Sequence, residues 1–107
     1  MKPRTYYAVY YSSKYKNSDT NEYELLNVFV IGDCIFSKKE YARAYMREAF
    51  PSFRTIGFTS KTINETEDMI EVEEGDGLMK KRAEVKMLYA DCFKYTSKGR
   101  EVNLDLI

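Results

Sequence analysis

The stretch Phe36-Ser37-Lys38-Lys39-Glu40-Tyr41-Ala42-Arg43-Ala44-Tyr45-Met46-Arg47-Glu48-Ala49-Phe50-Pro51 decides how the rest of the chain is read. Ser37 and Glu40 have the S-x-x-E spacing of a capping box, and Phe36 and Tyr41 have that of a hydrophobic staple. Tyr41, Ala42, Tyr45, Met46 and Ala49 then recur at i, i+3/i+4 and form one apolar stripe. Pro51 disfavours helical geometry at Phe50. The pattern predicts a helix over about 38–50 with one face toward a core.

Outward from this helix, the sequence changes to the period and composition of strands. Thr5 to Tyr11 is tyrosine- and valine-rich and predicts a first strand. Ser12 to Glu22 is polar, with turn formers Asn17, Ser18 and Asp19, and predicts an exposed loop. Tyr23 to Ile31 predicts a second strand, ended by Gly32-Asp33. Beyond the helix, Phe53 to Ile63 predicts a third strand, with Gly57 as a bulge or close approach. Val102, Leu104 and Leu106 alternate with polar residues, and Ser97 to Arg100 reads as a hairpin turn that places Tyr95 near Val102 and Phe93 near Leu104.

Between Asn64 and Ala90, helical and alternating patterns fit about equally. The reading adopted is a strand over about Glu84 to Thr96, preceded by a hairpin or helical turn, with Gly75-Asp76-Gly77 as a break. The sum is an α+β domain: a mainly antiparallel sheet of about five strands with the helix on one face. One compact domain over 1–107 suits this length.

Composition narrows the function. The chain has no histidine and ten tyrosines in 107 residues. Histidine is the usual acid/base group near neutral pH and the commonest metal ligand. Cys34 and Cys92 match no metal spacing, although they could form one disulfide if they met in space. They are expected to be reduced, small and buried. No phosphate-loop or dinucleotide-binding glycine motif is present. The expectation is therefore no enzyme, no cofactor and no metal. The longest apolar run, Val28 to Ile31, cannot span a bilayer, so a cytoplasmic chain without membrane contact is expected.

Tyrosine suits contact surfaces. On a strand, Tyr6 and Tyr10 face one way and Tyr7, Val9 and Tyr11 the other. Tyr7 and Tyr11, with Tyr15 beyond them, are candidate partner-binding residues, although neighbouring elements could equally cover both faces. Seventeen bases balance seventeen acids, yet residues 64–77 hold seven acids and no base. Glu71, Glu73 and Glu74 are the candidate contacts in that block, weighed against a merely solvated acidic turn.

Lys39, Arg43 and Arg47 recur every fourth residue along the other helix face and are candidate phosphate contacts, or an ordinary solvated face. In size and composition the chain is similar to small accessory proteins of phages and mobile elements, including inhibitors of host defence. The leading expectation is a non-catalytic binding protein that occupies a protein partner, with self-association open to it. The alternative is a nucleotide or nucleic-acid module that stacks bases on strand tyrosines.

Overall fold

A computed structural model describes residues 5–89, 93–95 and 101–104. Five strands form one antiparallel sheet: β1 (Thr5–Lys16), β2 (Tyr23–Val30), β3 (Ser60–Thr66), β4 (Met69–Glu74) and β5 (Met79–Tyr89). Their order across the sheet is β2-β1-β5-β4-β3. The helix α1 (Lys39–Ala49) packs on one face, so the fold is α+β. A separate hairpin pairs β6 (Phe93–Tyr95) with β7 (Glu101–Leu104).

β1 is longer than expected. Ser13 points at the helix side and is buried, so alternation continues through the polar residues. Only Asn17–Glu22 is a turn, closed by the Asn17 side chain accepting the Asp19 N–H at 2.8 Å. The polarity of Ser12 to Lys16 resembles a loop signal, and this is why a loop is expected there. Central strands tolerate serine and lysine when the ladder on both sides satisfies the backbone.

The helix spans nearly the expected residues, but its entry differs. Lys38, rather than Ser37, is the N-cap and no side chain caps the N-terminus. Phe36 packs against Tyr45, with centroids 5.3 Å apart, instead of stapling Tyr41. Tyr41 is exposed beneath the Lys38 ammonium. Phe36 is held elsewhere by two backbone hydrogen bonds with Tyr7, each 2.8 Å, and that tether sets the angle at which the chain enters α1. Pro51 does end α1, because the chain tightens there into a 3₁₀ turn over Phe50–Phe53.

That turn and the loop after it replace the first part of the expected third strand. Gly57 lies in the loop at φ 89°, and the bulge is at Ile63, between the Thr62–Val72 and Asn64–Glu71 pairs. The ambiguous region is β4 and β5, so β5 begins at Met79 rather than Glu84. Gly75, Asp76 and Gly77 all take positive φ, which explains a turn rich in glycine at this position. In the β6–β7 hairpin, Phe93 is opposite Leu104 as expected, while Tyr95 is opposite Glu101 because the register shifts after Lys94. Ser97 to Arg100, Leu106 and Cys92 lie outside the described residues.

The core lies between α1 and the sheet face carrying Val9, Tyr11, Ala83 and Val85. Ala42, Met46 and Phe50 descend from the helix side onto it, and Ile31 closes one end. No helix among the described residues is long and apolar enough to cross a membrane.

Candidate functional site

The helix-covered face removes one expected contact residue from the surface and half-covers another. Tyr11 is only 4% exposed. Its ring stacks on Phe53 at 4.5 Å and meets Phe29 at 4.9 Å and Phe50 at 6.3 Å. Burial raises the Tyr11 hydroxyl pKa above 10.0, with the negative charge of Glu74 adding to the effect. Tyr7 is half-buried against the same core. Tyr15 is at the exposed end of β1 and donates to Glu24 Oε2 at 2.6 Å.

The acidic trio splits because strand side chains alternate. Glu71 and Glu73 lie on the sheet face away from the helix, whereas Glu74 turns under the 3₁₀ segment and is fully buried. Lys81, 6% exposed, meets Glu74 Oε1 at 2.8 Å and donates to the Phe53 carbonyl and, at 2.7 Å, to Thr55 Oγ1. The Thr55 N–H donates to Glu74 Oε2 at 3.1 Å. The pair therefore joins the segment after α1 to strands β4 and β5. A cleft of about 280 Å³ opens beside it, walled by Phe50, Pro51 and Phe53 over a floor that includes Ile70 and Val72.

Burial alone would raise the Glu74 pKa, but the Lys81 ammonium and the Thr55 donors outweigh it and hold the carboxyl below its ordinary 4.5. A depressed folded-state pKa gives stability that is present above the unfolded value and lost as pH falls through the folded value. Urea unfolding should therefore show a falling midpoint as pH drops below about 4.5, with a flatter profile in Glu74→Gln. Identical acid profiles for the two proteins would remove Glu74 from the account.

The basic row on α1 is already engaged within the chain. Lys39 pairs with Asp68 at 3.0 Å, and Arg43 pairs with Asp68 and with Glu67 at 3.3 Å. The Asp68 carboxyl is held below its ordinary value first by the Arg43 hydrogen bond and then by Lys39. Arg47 donates to the Thr66 and Glu67 carbonyls, both at 3.2 Å. These residues clamp the β3–β4 turn to the helix, and the acids at that turn are ion-pair partners as much as surface charge. A phosphate ligand on this row would have to displace those contacts.

Cys34 is half-buried and its thiol donates to the Gly32 carbonyl at 3.1 Å, beside the Tyr45 hydroxyl. Among the described residues no group of three or more cysteines and carboxylates could hold a metal ion.

The surface that sequence reading missed is β2. Leu25, Leu26 and Val28 are 60%, 51% and 50% exposed. β2 is an edge strand, so one backbone edge has no partner within the sheet. Leu26 is the extra residue of a bulge, which turns Leu25 and Val28 toward the same face, opposite Lys14 and Ser12. Read across β2, β1, β5 and β4, that face runs from aliphatic (Leu25, Val28) through basic (Lys14, Lys80, Arg82) to acidic (Glu71, Glu73). The opposite edge, β3, is polar except for Ile63. Comparison with protein-family models, curated proteins and solved structures finds no match to this chain.

Proposed function

We propose that this chain is a non-catalytic binding protein that docks on a protein partner through the β2 edge and the adjoining sheet face, the mode of action of an inhibitor or accessory factor. The observation that supports the reading is the row of exposed aliphatic side chains on an unpaired strand edge. Proteins normally blunt such edges with charge or proline, because an open apolar edge invites pairing with another chain. β2 has one charged residue, Glu24, and that carboxylate is engaged by Tyr15 and Asn17. A partner strand would gain main-chain hydrogen bonds along β2 and aliphatic contact with Leu25 and Val28.

This reading replaces Tyr11 and Glu74 as contact residues, because both are buried, and keeps Glu71 and Glu73 at the acidic side of the same face. The test is affinity capture from the native host with wild type, Leu26→Lys/Val28→Lys, and Thr62→Lys, which is on the opposite edge and, across from Val72, on the other face. Both variants should fold, since exposed substitutions of this kind alter stability by about 0.5 kcal/mol or less. A protein retained by wild type and Thr62→Lys, and lost by the β2 variant, is the expected result. Capture unaffected by the β2 substitutions overturns the proposal.

A further inference from the structure

The centre of the open sheet face holds an arrangement that folding alone does not favour. Lys14 of β1 is directly opposite Lys80 of β5, and Ser12 is opposite Arg82. Pairs two residues apart share a face, so three cations fall within two adjacent cross-strand positions. Like charges directly opposite one another are destabilising. Composition does not force this placement, since the chain has as many acids as bases.

The nearby carboxylates leave the two lysines without ion pairs among the described residues. Glu84 is engaged by Arg82 at 2.9 Å and Lys86 at 3.7 Å. Glu73 and Glu71 adjoin Lys80 and Arg82 from β4 without reaching ion-pair distance. Lys80 instead lies over the Tyr23 ring, 4.3 Å from its centroid. The side chains enclose a polar cleft of about 230 Å³ whose lining includes Ser12, Lys14, Lys80 and Arg82.

We propose that this cleft binds the phosphate group of a small phosphorylated molecule. A phosphate dianion would remove the repulsion between Lys14 and Lys80, accept from the Arg82 N–H groups that Glu84 does not engage and take the Ser12 hydroxyl as a further donor. Glu71 and Glu84, which also line the cleft, select against a polyanion. A nucleic-acid strand would bring successive phosphates against them, whereas one phosphate group seated between Lys14 and Lys80 brings a single charged group near them. Leu25 and Val28, beside Lys14 and Ser12, offer aliphatic surface to the rest of the ligand. The proposal rests on the facing cations of β1 and β5 and not on the protein-docking reading of β2, although both use the face that carries Leu25 and Val28.

Titration with inorganic phosphate and with phenyl phosphate at low ionic strength, followed by amide NMR, tests it. Saturable shifts at Ser12, Lys14, Lys80 and Arg82 are expected, with phenyl phosphate the tighter probe. Lys14→Gln/Lys80→Gln should weaken binding about tenfold or more, and should be at least as stable as wild type. No saturable binding of either probe overturns the proposal, as does unchanged affinity in the double variant. A less stable double variant overturns the like-charge premise. Tighter, steeply salt-dependent binding of a single-stranded oligonucleotide overturns the ligand class.

Discussion

Lys81→Ala should lower stability by about 3–5 kcal/mol, because it leaves the Glu74 carboxylate buried without a counter-ion. The Phe53 carbonyl and the Thr55 hydroxyl lose their donor at the same time. For a chain whose whole stability is expected to be roughly 5–15 kcal/mol, this is a large fraction. The variant should also change sign in its pH response. With Lys81 present, Glu74 titrates below its ordinary value and acid destabilises the fold. Without it, burial raises the carboxyl, so the remaining fold should be favoured by protonation and weaken as pH rises. Glu74→Leu/Lys81→Met should recover most of the loss, since an apolar pair removes both buried charges. Urea unfolding of the three proteins across the acid range checks each point. A loss below about 1 kcal/mol for Lys81→Ala would show a pair dispensable to the fold.

Tyr11→Ala should cost about 3–5 kcal/mol by emptying the position shared by Phe29, Phe50 and Phe53. Tyr11→Phe keeps the stacked ring and should cost about 1.5 kcal/mol or less. Neither change should alter partner affinity once folding is accounted for, because the side chain is below the surface. Paired measurements of unfolding free energy and partner binding separate the cases. A Tyr11→Ala protein of wild-type stability that has lost its partner would return Tyr11 to the contact surface.

The two effects differ in origin, and so does their visibility in the sequence. Tyr11 occupies a period-2 row with Tyr7 and Val9, so its shared face was readable. Whether that face meets α1 or solvent was not, because the covering residues, Met46 and Phe50, are distant along the chain. Glu74 is harder still. It stands in a run of acids that resembles a solvated turn, and its counter-ion Lys81 stands in a basic cluster that resembles a solvated patch. Each reads as surface until β4 and β5 are paired, when the period of two turns both inward while Glu73, Lys80 and Arg82 turn outward.

The β2 surface was obscured for the opposite reason. Tyr23 to Ile31 has more aliphatic residues than one covered face can bury, which suits a central strand in an α/β sheet as well as a bare edge. Strand order alone distinguishes the two, and here it places β2 outermost.

By itself, the sequence determined the local elements whose hydrogen bonds and periodicity close within a few residues: a helix over about 38–50, its end at Pro51, the break at Gly75–Gly77 and the α+β class. It also determined which side chains share a face. Tertiary structure decided which faces are covered and which strand lies at the edge, and therefore that Tyr11 and Glu74 are buried, that Lys39, Arg43 and Arg47 clamp a hairpin, and that Leu25, Leu26 and Val28 are exposed. The physical reason is that alternation is a property of neighbouring residues, whereas burial depends on what packs across from them, and those partners come from distant parts of the chain.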